Sequence, residues 1–477
     1  MKSIVAILAS ALVVMSGCAS QDTNPPSNLQ STASTSKGFS LPAYQQTRLD
    51  NGLTVYLMPD AEVPLVNVKA VIRAGAVNDT NPGLADMTAA SLSFGAGERS
   101  KQDIEQAVDF VGASIDAYAG LEGTVVESSF LKQNDALILP IIADMVIDPS
   151  FDAQEFEKAK NRKKAALQQA KESPRAVINQ YFMASMYGQH PYGNAIAGEV
   201  NRIDDINVSL LRAFHQGFYQ PQNSAIVVTG DFDSNTMLAQ ITQLFGSWKN
   251  EADINQPELS GGLKTLNSNQ VLLVDKPDAR ETTFLIGGVG VAKDNPDSVG
   301  LSVINTVLGG RFTSWLNDEL RVNSGLTYGA RSAFVSNGES GVFRISTFTA
   351  TATTKEAIDL ALSTYQRLWS KGLDQATLDS AKAYVKGQFP PRYETAAQRG
   401  AFLANMYLYG YDEGYINDFE AKVNALTLEN ANQLIAKYFP KDNYQFVLIG
   451  KADDIRDLAK SYGEVTEVSI ATSGFAR

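Results

Sequence analysis

The chain has 477 residues, of which 44% are hydrophobic, and a formal net charge of −12. This length predicts more than one domain, and the hydrophobic fraction is sufficient for large buried cores. The basic residues form no long cluster, so nucleic acid and anionic lipid headgroups are not expected as partners.

The first 17 residues are predicted to be a processing signal. Lys2 supplies a short positive region, and the apolar run at residues 4–14 is too short to span a bilayer as a helix. The run ends at residues 15–18 (MSGC), which resemble the lipidation box of bacterial lipoproteins. Cys18 is the only cysteine of the chain, so a disulfide within the chain is excluded and one thiol stands where lipidation needs it.

Lipidation of Cys18 predicts a lipid anchor on the periplasmic side of a bacterial membrane. Ala19, rather than an aspartate, follows the cysteine, and by resemblance this favours the outer membrane. A plain secretory signal with an incidental cysteine is the alternative. Residues 18–40 would then comprise the lipidated cysteine and a disordered tether, because they are rich in Ser, Thr, Asn, Gln and Pro.

The remainder of the chain contains an internal repeat. Each half opens with a strand, a turn containing Pro and Asp, and a second strand, and each closes with a similar strand. The matching segments are residues 55–75 and 271–288 at the openings, and residues 219–230 and 438–450 at the ends. Two homologous domains are therefore predicted, at residues 41–249 and 270–477, with a linker at residues 250–269.

Helical patterns lie between the predicted strands of both halves. Each half is therefore predicted to be α+β, with an antiparallel-rich sheet and helices packed on one face. Two such domains in one chain suggest a two-lobed shell, which is a common origin of enclosed binding sites.

Three segments occur in the order of a known peptidase family. Residues 83–95 (GLADMTAASLSFG) predict a helix and a glycine turn, residues 111–118 (VGASIDAY) a strand, and residues 190–193 (HPYG) a turn. Across residues 43–465 this order resembles the M16 metallopeptidases, the insulinase or mitochondrial-processing-peptidase-like family, and in particular its M16B-type bacterial members.

The resemblance implies that the zinc site of this family is degenerate here. Active members carry His-x-x-Glu-His on the first helix, where two His bind zinc and the Glu activates water. The corresponding residues are Asp86, Ala89 and Ala90, and counting back from the HPYG turn aligns the third ligand with Ala166 and its supporting Glu with Ala159. Alanine has no lone pair, so no metal is expected in this chain. Asp86 is expected to face the vacated cleft.

The two histidines of the chain offer no replacement for these ligands. His190 belongs to the HPYG turn, which is not a ligand segment in the family, and His215 lies near a predicted helix end. A structural or solvent-facing role is expected for His215.

A second family feature is retained. Residues 320–328 (LRVNSGLTY) match the spacing Leu-Arg-x-x-x-Gly-Leu-x-Tyr, by which M16 proteases contribute an Arg and a Tyr to the site. The resemblance implies that Arg321 holds a substrate carbonyl and that Tyr328 stabilises the charge on the attacked carbonyl oxygen. The alternative is an Arg in a surface ion pair and a Tyr packed under a strand.

The strand at residues 114–119 is a third candidate element. In the family, substrate adds to a sheet edge as an extra strand, so backbone hydrogen bonds bind it with little sequence preference. An ordinary paired strand is the alternative.

Loss of the zinc positions and retention of the pair predict a non-catalytic subunit. By resemblance, this chain would complete the chamber of a heterodimeric periplasmic M16 peptidase, whose partner carries zinc on an intact His-x-x-Glu-His and whose substrates are unstructured peptides. A stand-alone zinc metalloendopeptidase and a non-enzymatic peptide-binding or scaffold protein remain as alternatives, and homodimer or heterodimer stays open.

Overall fold

The computed structural model describes residues 39–250 and 253–475. Cys18, the predicted signal and most of the predicted tether lie outside the described residues. The strands, in chain order, are β1 Gln45–Arg48, β2 Thr54–Pro59, β3 Leu65–Ile72, β4 Gly95–Ala96, β5 Arg99–Ser100, β6 Ser114–Ala119, β7 Thr124–Leu131, β8 Ser224–Gly230, β9 Gln270–Asp275, β10 Glu281–Val289, β11 Arg331–Ser336, β12 Gly341–Ala350, β13 Gln445–Gly450 and β14 Glu464–Ser469.

The helices surround two large sheets. They are α1 Leu84–Ser91, α2 Lys101–Phe110, α3 Asp135–Ile147, α4 Ala153–Ala170, α5 Pro174–Tyr187, α6 Val208–Phe218, α7 Ser234–Phe245, α8 Ser298–Asn305, α9 Trp315–Asn317, α10 Thr354–Ser370, α11 Gln375–Gln388, α12 Ala396–Tyr409, α13 Gly414–Asn417, α14 Phe419–Ala425, α15 Leu428–Tyr438 and α16 Ala452–Lys460. Two π-helical segments, Thr306–Gly310 and Asp318–Asn323, interrupt the second half. The α+β class is confirmed.

The two six-stranded sheets have the same strand order. The first runs β1-β2-β8-β3-β7-β6, and the second, taken from its opposite edge, runs β14-β9-β13-β10-β12-β11. In each sheet one central pair is parallel, β2 with β8 and β9 with β13, whereas the hairpin neighbours are antiparallel. The predicted repeat is therefore confirmed at the level of topology. The outer strands differ, because β1 is antiparallel to β2 and β14 is parallel to β9.

Alternation along the central strands explains how each sheet is buried on both faces. In β2, Val55 and Leu57 join one hydrophobic core, and Tyr56 and Met58 join another. Because successive side chains of a strand point to opposite faces, such a continuous apolar run requires a covering layer on each side.

Each sheet takes that second layer from the other half of the chain. The first sheet has helices of its own half on one face and α12 on the other, while α5 packs on the second sheet against β10 and β13. Close contact is made through glycines. A Cβ at Gly400 of α12 would lie 3.0 Å from Thr229 Oγ1, and one at Gly287 of β10 would lie 2.8 Å from the ring of Phe182 of α5. The prediction of helices on one face therefore describes only the helices of the same half.

Polar contacts between the two halves hold these covering helices in place. The Arg399 side chain of α12 is 8% exposed, forms a salt bridge with Asp60 and donates to the carbonyl oxygen of Glu394 at 2.7 Å. At the turns of the two edge hairpins, the Glu122 carboxylate accepts from the Tyr192 hydroxyl at 2.6 Å and from the Gly338 N–H at 3.0 Å. Tyr192 of the HPYG turn thus joins the halves.

Among the described residues, no helix has the length and apolar character needed to cross a membrane. The predicted domain boundaries stay a prediction. Within the predicted linker, residues 253–269 form neither helix nor strand.

Arg399→Met should lower the free energy of unfolding by about 3 kcal/mol, because it would remove the ion-pair partner of Asp60 at a place largely shielded from water. Chemical denaturation followed by circular dichroism measures the change. Arg456→Met is the matched control, since Arg456 pairs with Glu467 at the surface at 2.7 Å. It should leave the free energy of unfolding nearly unchanged. Equal effects of the two substitutions would contradict the role given to Arg399.

Candidate functional site

An ion pair occupies the position of the first family zinc ligand. Asp86 lies in the first turn of α1, and its carboxylate is 2.5 Å from the Lys163 ammonium of α4. The two side chains are 23% and 24% exposed, so the pair is partly shielded from water. Asp86 is therefore engaged in an ion pair, and its partner is a cation supplied by the protein itself.

The remaining motif positions carry no donor atoms. Ala89 is fully buried in the core of the first half, whereas Ala166 on α4 is exposed. Lys163 stands three residues before Ala166 and so lies on the same face of the helix. Zinc in proteins is bound by Cys, His, Asp or Glu, usually through three or four of them. A single carboxylate already paired with an ammonium does not fit that ion.

Among the described residues, no group of three or more His, Cys, Asp and Glu side chains could hold a metal ion. That the chain binds no zinc stays a prediction. The two histidines have structural contacts. His215 is 8% exposed and its Nε2 lies 2.8 Å from the carbonyl oxygen of Val146, and burial lowers its pKa to about 4. His190 Nδ1 accepts the backbone N–H of Tyr192 at 3.2 Å.

A buried carboxylate beside α1 was not identified from the sequence. Asp79 accepts the backbone N–H groups of Gly83 and Ala85 at 2.8 and 2.7 Å, at the start of the helix. Burial raises the pKa of Asp79 to about 7, although these hydrogen bonds oppose the shift. The nearby Asp86 charge also raises it. An Asp placed a few residues before a predicted helix start, where it can accept free backbone N–H groups, was the available signal.

Arg321 and Tyr328 lie in one cavity. Its volume is about 710 Å³, and its walls come from the two π-helical segments, β11, β12 and α11. Tyr328 is 82% exposed, and its ring stacks on Phe348 with 6.2 Å between centroids. The Arg321 guanidinium lies 4.6 Å from the ring centroid of Phe312. π-Helical turns are rare and often occur at functional sites.

Arg321 is not in a surface ion pair among the described residues, and Tyr328 is not packed under a strand. Within residues 39–250 and 253–475, no ion pair involves Arg321, and the Tyr328 hydroxyl has no hydrogen-bond partner. Phe348, which supports the Tyr328 ring, is itself covered by the Arg175 guanidinium at 3.3 Å from the ring centroid. The donors of the pair are thus available to a ligand while stacking contacts hold their side chains.

The strand at residues 114–119 is an edge strand. It corresponds to β6, which terminates the first sheet and pairs only with β7 among the described strands. Tyr118 on this strand is 47% exposed. An exposed edge can accept an additional strand through main-chain hydrogen bonds. Helix α1, with Asp86, packs against β6.

The predicted site residues therefore form two groups on different elements. Asp86, Ala89, Ala90 and Ala166 belong to α1 and α4 of the first half, and Arg321 and Tyr328 to the cavity beside β11. The partner of Asp86 was missed from the sequence, although a lysine one turn before the aligned ligand position on α4 was a usable signal.

Comparisons with known proteins identify the family of the chain. A family model described as Insulinase (Peptidase family M16) matches residues 54–200, and one described as Peptidase M16 inactive domain matches residues 205–385. Together they match more than half of the chain. A relative from Bacillus subtilis (strain 168), named uncharacterized zinc protease YmxG, is 23% identical over 407 residues, which are 85% of this chain and 98% of that protein.

Solved structures of M16 peptidases are also similar to this chain. The peptidase M16 inactive domain from Pseudomonas fluorescens is 25% identical, with a TM-score of 0.79 over 86% of this chain and 98% of that chain. A protease from Helicobacter pylori shares the fold, at 21% identity and a TM-score of 0.77 over 86% of this chain and 100% of that chain. Because two M16 family models match more than half of it, this chain belongs to the M16 family of peptidases.

Proposed function

We propose that this chain is the non-catalytic subunit of a heterodimeric M16 zinc peptidase. In this proposal the partner carries zinc on an intact His-x-x-Glu-His, and this chain completes the peptide-binding chamber. The observation that carries the proposal is the contrast between the two groups of site residues. The metal positions hold an ion pair and alanines, whereas Arg321 and Tyr328 keep unpaired donors in an open cavity.

The chemistry proposed for this chain is binding and charge stabilisation. Arg321 can hold a peptide carbonyl through two guanidinium N–H groups, which fixes the position of the scissile bond. The Tyr328 hydroxyl can donate to the oxygen on which negative charge develops, and such a donor is most effective when already oriented. The free edge of β6 is the proposed place for the peptide backbone.

The purified chain should bind no stoichiometric zinc and cleave no peptide alone, because Ala89, Ala90 and Ala166 supply neither ligand nor base. Elemental analysis and incubation with an unstructured peptide measure the two properties, with the zinc-bearing partner as positive control. Near-equimolar zinc together with chelator-sensitive cleavage would support the stand-alone metalloendopeptidase instead.

Tyr328→Phe should lower the turnover of the reconstituted heterodimer about 10²–10³-fold, the usual cost of one oxyanion donor. The substitution keeps the ring that stacks on Phe348, so folding and subunit association should be unchanged. Arg321→Ala should raise KM as well as lower kcat, because the guanidinium contacts substrate before and during the reaction. The measurement is steady-state kinetics on an unstructured peptide.

Tyr415→Phe is the matched control, since Tyr415 is 37% exposed and does not line this cavity. It should leave turnover unchanged. If both cavity variants assemble normally and keep full activity, the pair is structural, and a peptide-binding or scaffold protein becomes the better proposal.

We also propose that Cys18 anchors the complex, on the periplasmic side of a bacterial membrane and most simply the outer one. Cys18→Ser should release the chain into the soluble periplasmic fraction or leave it unprocessed, because the acyl chains would be lost. Fractionation followed by mass spectrometry of the mature N-terminus measures this. A processed Cys18→Ser chain that stays in the membrane fraction would show that the anchor lies elsewhere.

A further inference from the structure

The cavity that contains Arg321 and Tyr328 has a charge opposite to that of the chain. Its lining includes five arginines and no aspartate or glutamate: Arg311, Arg321, Arg331, Arg344 and Arg392. The whole chain has a net charge of −12. A concave wall of one sign concentrates the electrostatic field and raises the local concentration of counter-ions. The cavity is therefore suited to an anionic ligand.

These five arginines have no internal counter-charge. None of them forms a salt bridge with a carboxylate of residues 39–250 or 253–475, whereas Arg367 pairs with Glu319 and Arg456 with Glu467, each at 2.7 Å. Like charges held close together without partners repel one another, which disfavours the empty state. A ligand that supplies carboxylates would remove that repulsion.

The register of the second sheet brings two of the arginines together. Arg331 of β11 lies opposite Ser346 of β12, and Arg344 of β12 lies opposite Ala333 of β11. Arg331 and Arg344 are thus diagonal neighbours on one face of the sheet. Arg344 Nη1 donates to Asn179 Oδ1 of α5 at 2.7 Å, which orients the guanidinium without neutralising it.

Aromatic rings support two others. The Arg321 guanidinium lies over Phe312 at 4.6 Å and that of Arg311 over Tyr384 at 5.9 Å, measured to the ring centroids. Arg311 Nη1 donates to Ser380 Oγ at 3.0 Å, while its Nε is buried without a partner. A guanidinium that stacks on a ring keeps N–H donors in its plane, where a carboxylate can accept two parallel hydrogen bonds.

We propose that this cavity binds the carboxylates of an extended peptide, so that the complex prefers substrates rich in Asp and Glu. This inference rests on the peptidase-subunit function proposed above and names its substrate class. Side-chain carboxylates and a free C-terminal carboxylate share the same chemistry. A peptide is the occupant because the chain belongs to a peptidase family and presents the free edge of β6.

The test is peptide binding to the purified full-length chain, measured by fluorescence anisotropy. A flexible peptide with several Glu residues is compared with the same peptide carrying Gln at those positions, each with a free and with an amidated C-terminus. The Glu peptide should bind about tenfold or more tightly than the Gln peptide, since close charge pairs across an interface couple strongly. Dependence on amidation instead would assign the C-terminal carboxylate.

Arg331→Gln combined with Arg392→Gln should abolish the preference, because it removes two of the five cavity cations. Both side chains are exposed, so the substitutions should leave the packing of the sheet intact. Arg456→Gln combined with Lys460→Gln also removes two positive charges, outside the cavity, and should retain the preference. Raising the salt concentration should weaken binding of the Glu peptide more than that of the Gln peptide.

Equal affinity for all four peptides, or a preference that survives the double substitution, would falsify the inference. A single-stranded oligonucleotide of equal charge that competes as well as the Glu peptide would also overturn it, in favour of a general anion site. If the unsubstituted chain shows no preference for the Glu peptide while the heterodimer turns over peptide normally, only this inference is refuted. A normal preference with no turnover in any heterodimer refutes only the proposed function.

Discussion

The exchange of one helix between the two halves is the constraint on which the site depends. Helix α5 covers the second sheet and α12 covers the first, so neither sheet has a complete core without the other half of the chain. The consequence for function is direct. Asn179 of α5, a first-half residue, orients Arg344 in a cavity that otherwise belongs to the second half. Binding geometry and folding stability therefore share the same contacts.

The pair formed by Asp86 and Lys163 links α1 to α4 where active members of the family bind zinc. In active members of the family, a zinc ion held by ligands on both helices links the helix that corresponds to α1 with the one that corresponds to α4. In this chain the Asp86 carboxylate faces the Lys163 ammonium at 2.5 Å instead. A partly exposed ion pair contributes only a modest free energy to stability. Because the other motif positions are alanines, they carry no charge that would need a counter-ion. The helices keep their packing through apolar contacts, with Ala89 inside the core.

Much of the fold was predictable because its signals are local. The repeated strand-turn-strand openings predicted β2 with β3 and β9 with β10, and the closing strands predicted β8 and β13. The helix exchange was not predictable, since α5 and α12 have ordinary amphipathic patterns that do not specify which sheet they cover. At the site, the resemblance of residues 320–328 to the family motif implied that Arg321 and Tyr328 share a location. Arg331 and Arg344 were not identified, because they become neighbours only through the pairing of β11 with β12.

The two groups of site residues differ in their charge. In the first half, the metal positions have become nearly neutral, through alanines and one internal ion pair. In the second half, cationic side chains remain unpaired around an open cavity, in a chain that is acidic overall. Unpaired guanidinium groups cost stability unless a ligand neutralises them, so a scaffold that only held its shape would gain from carboxylates there. Among the described residues, the structure instead leaves these guanidinium groups without a carboxylate partner, which suits a cavity that binds an anionic ligand.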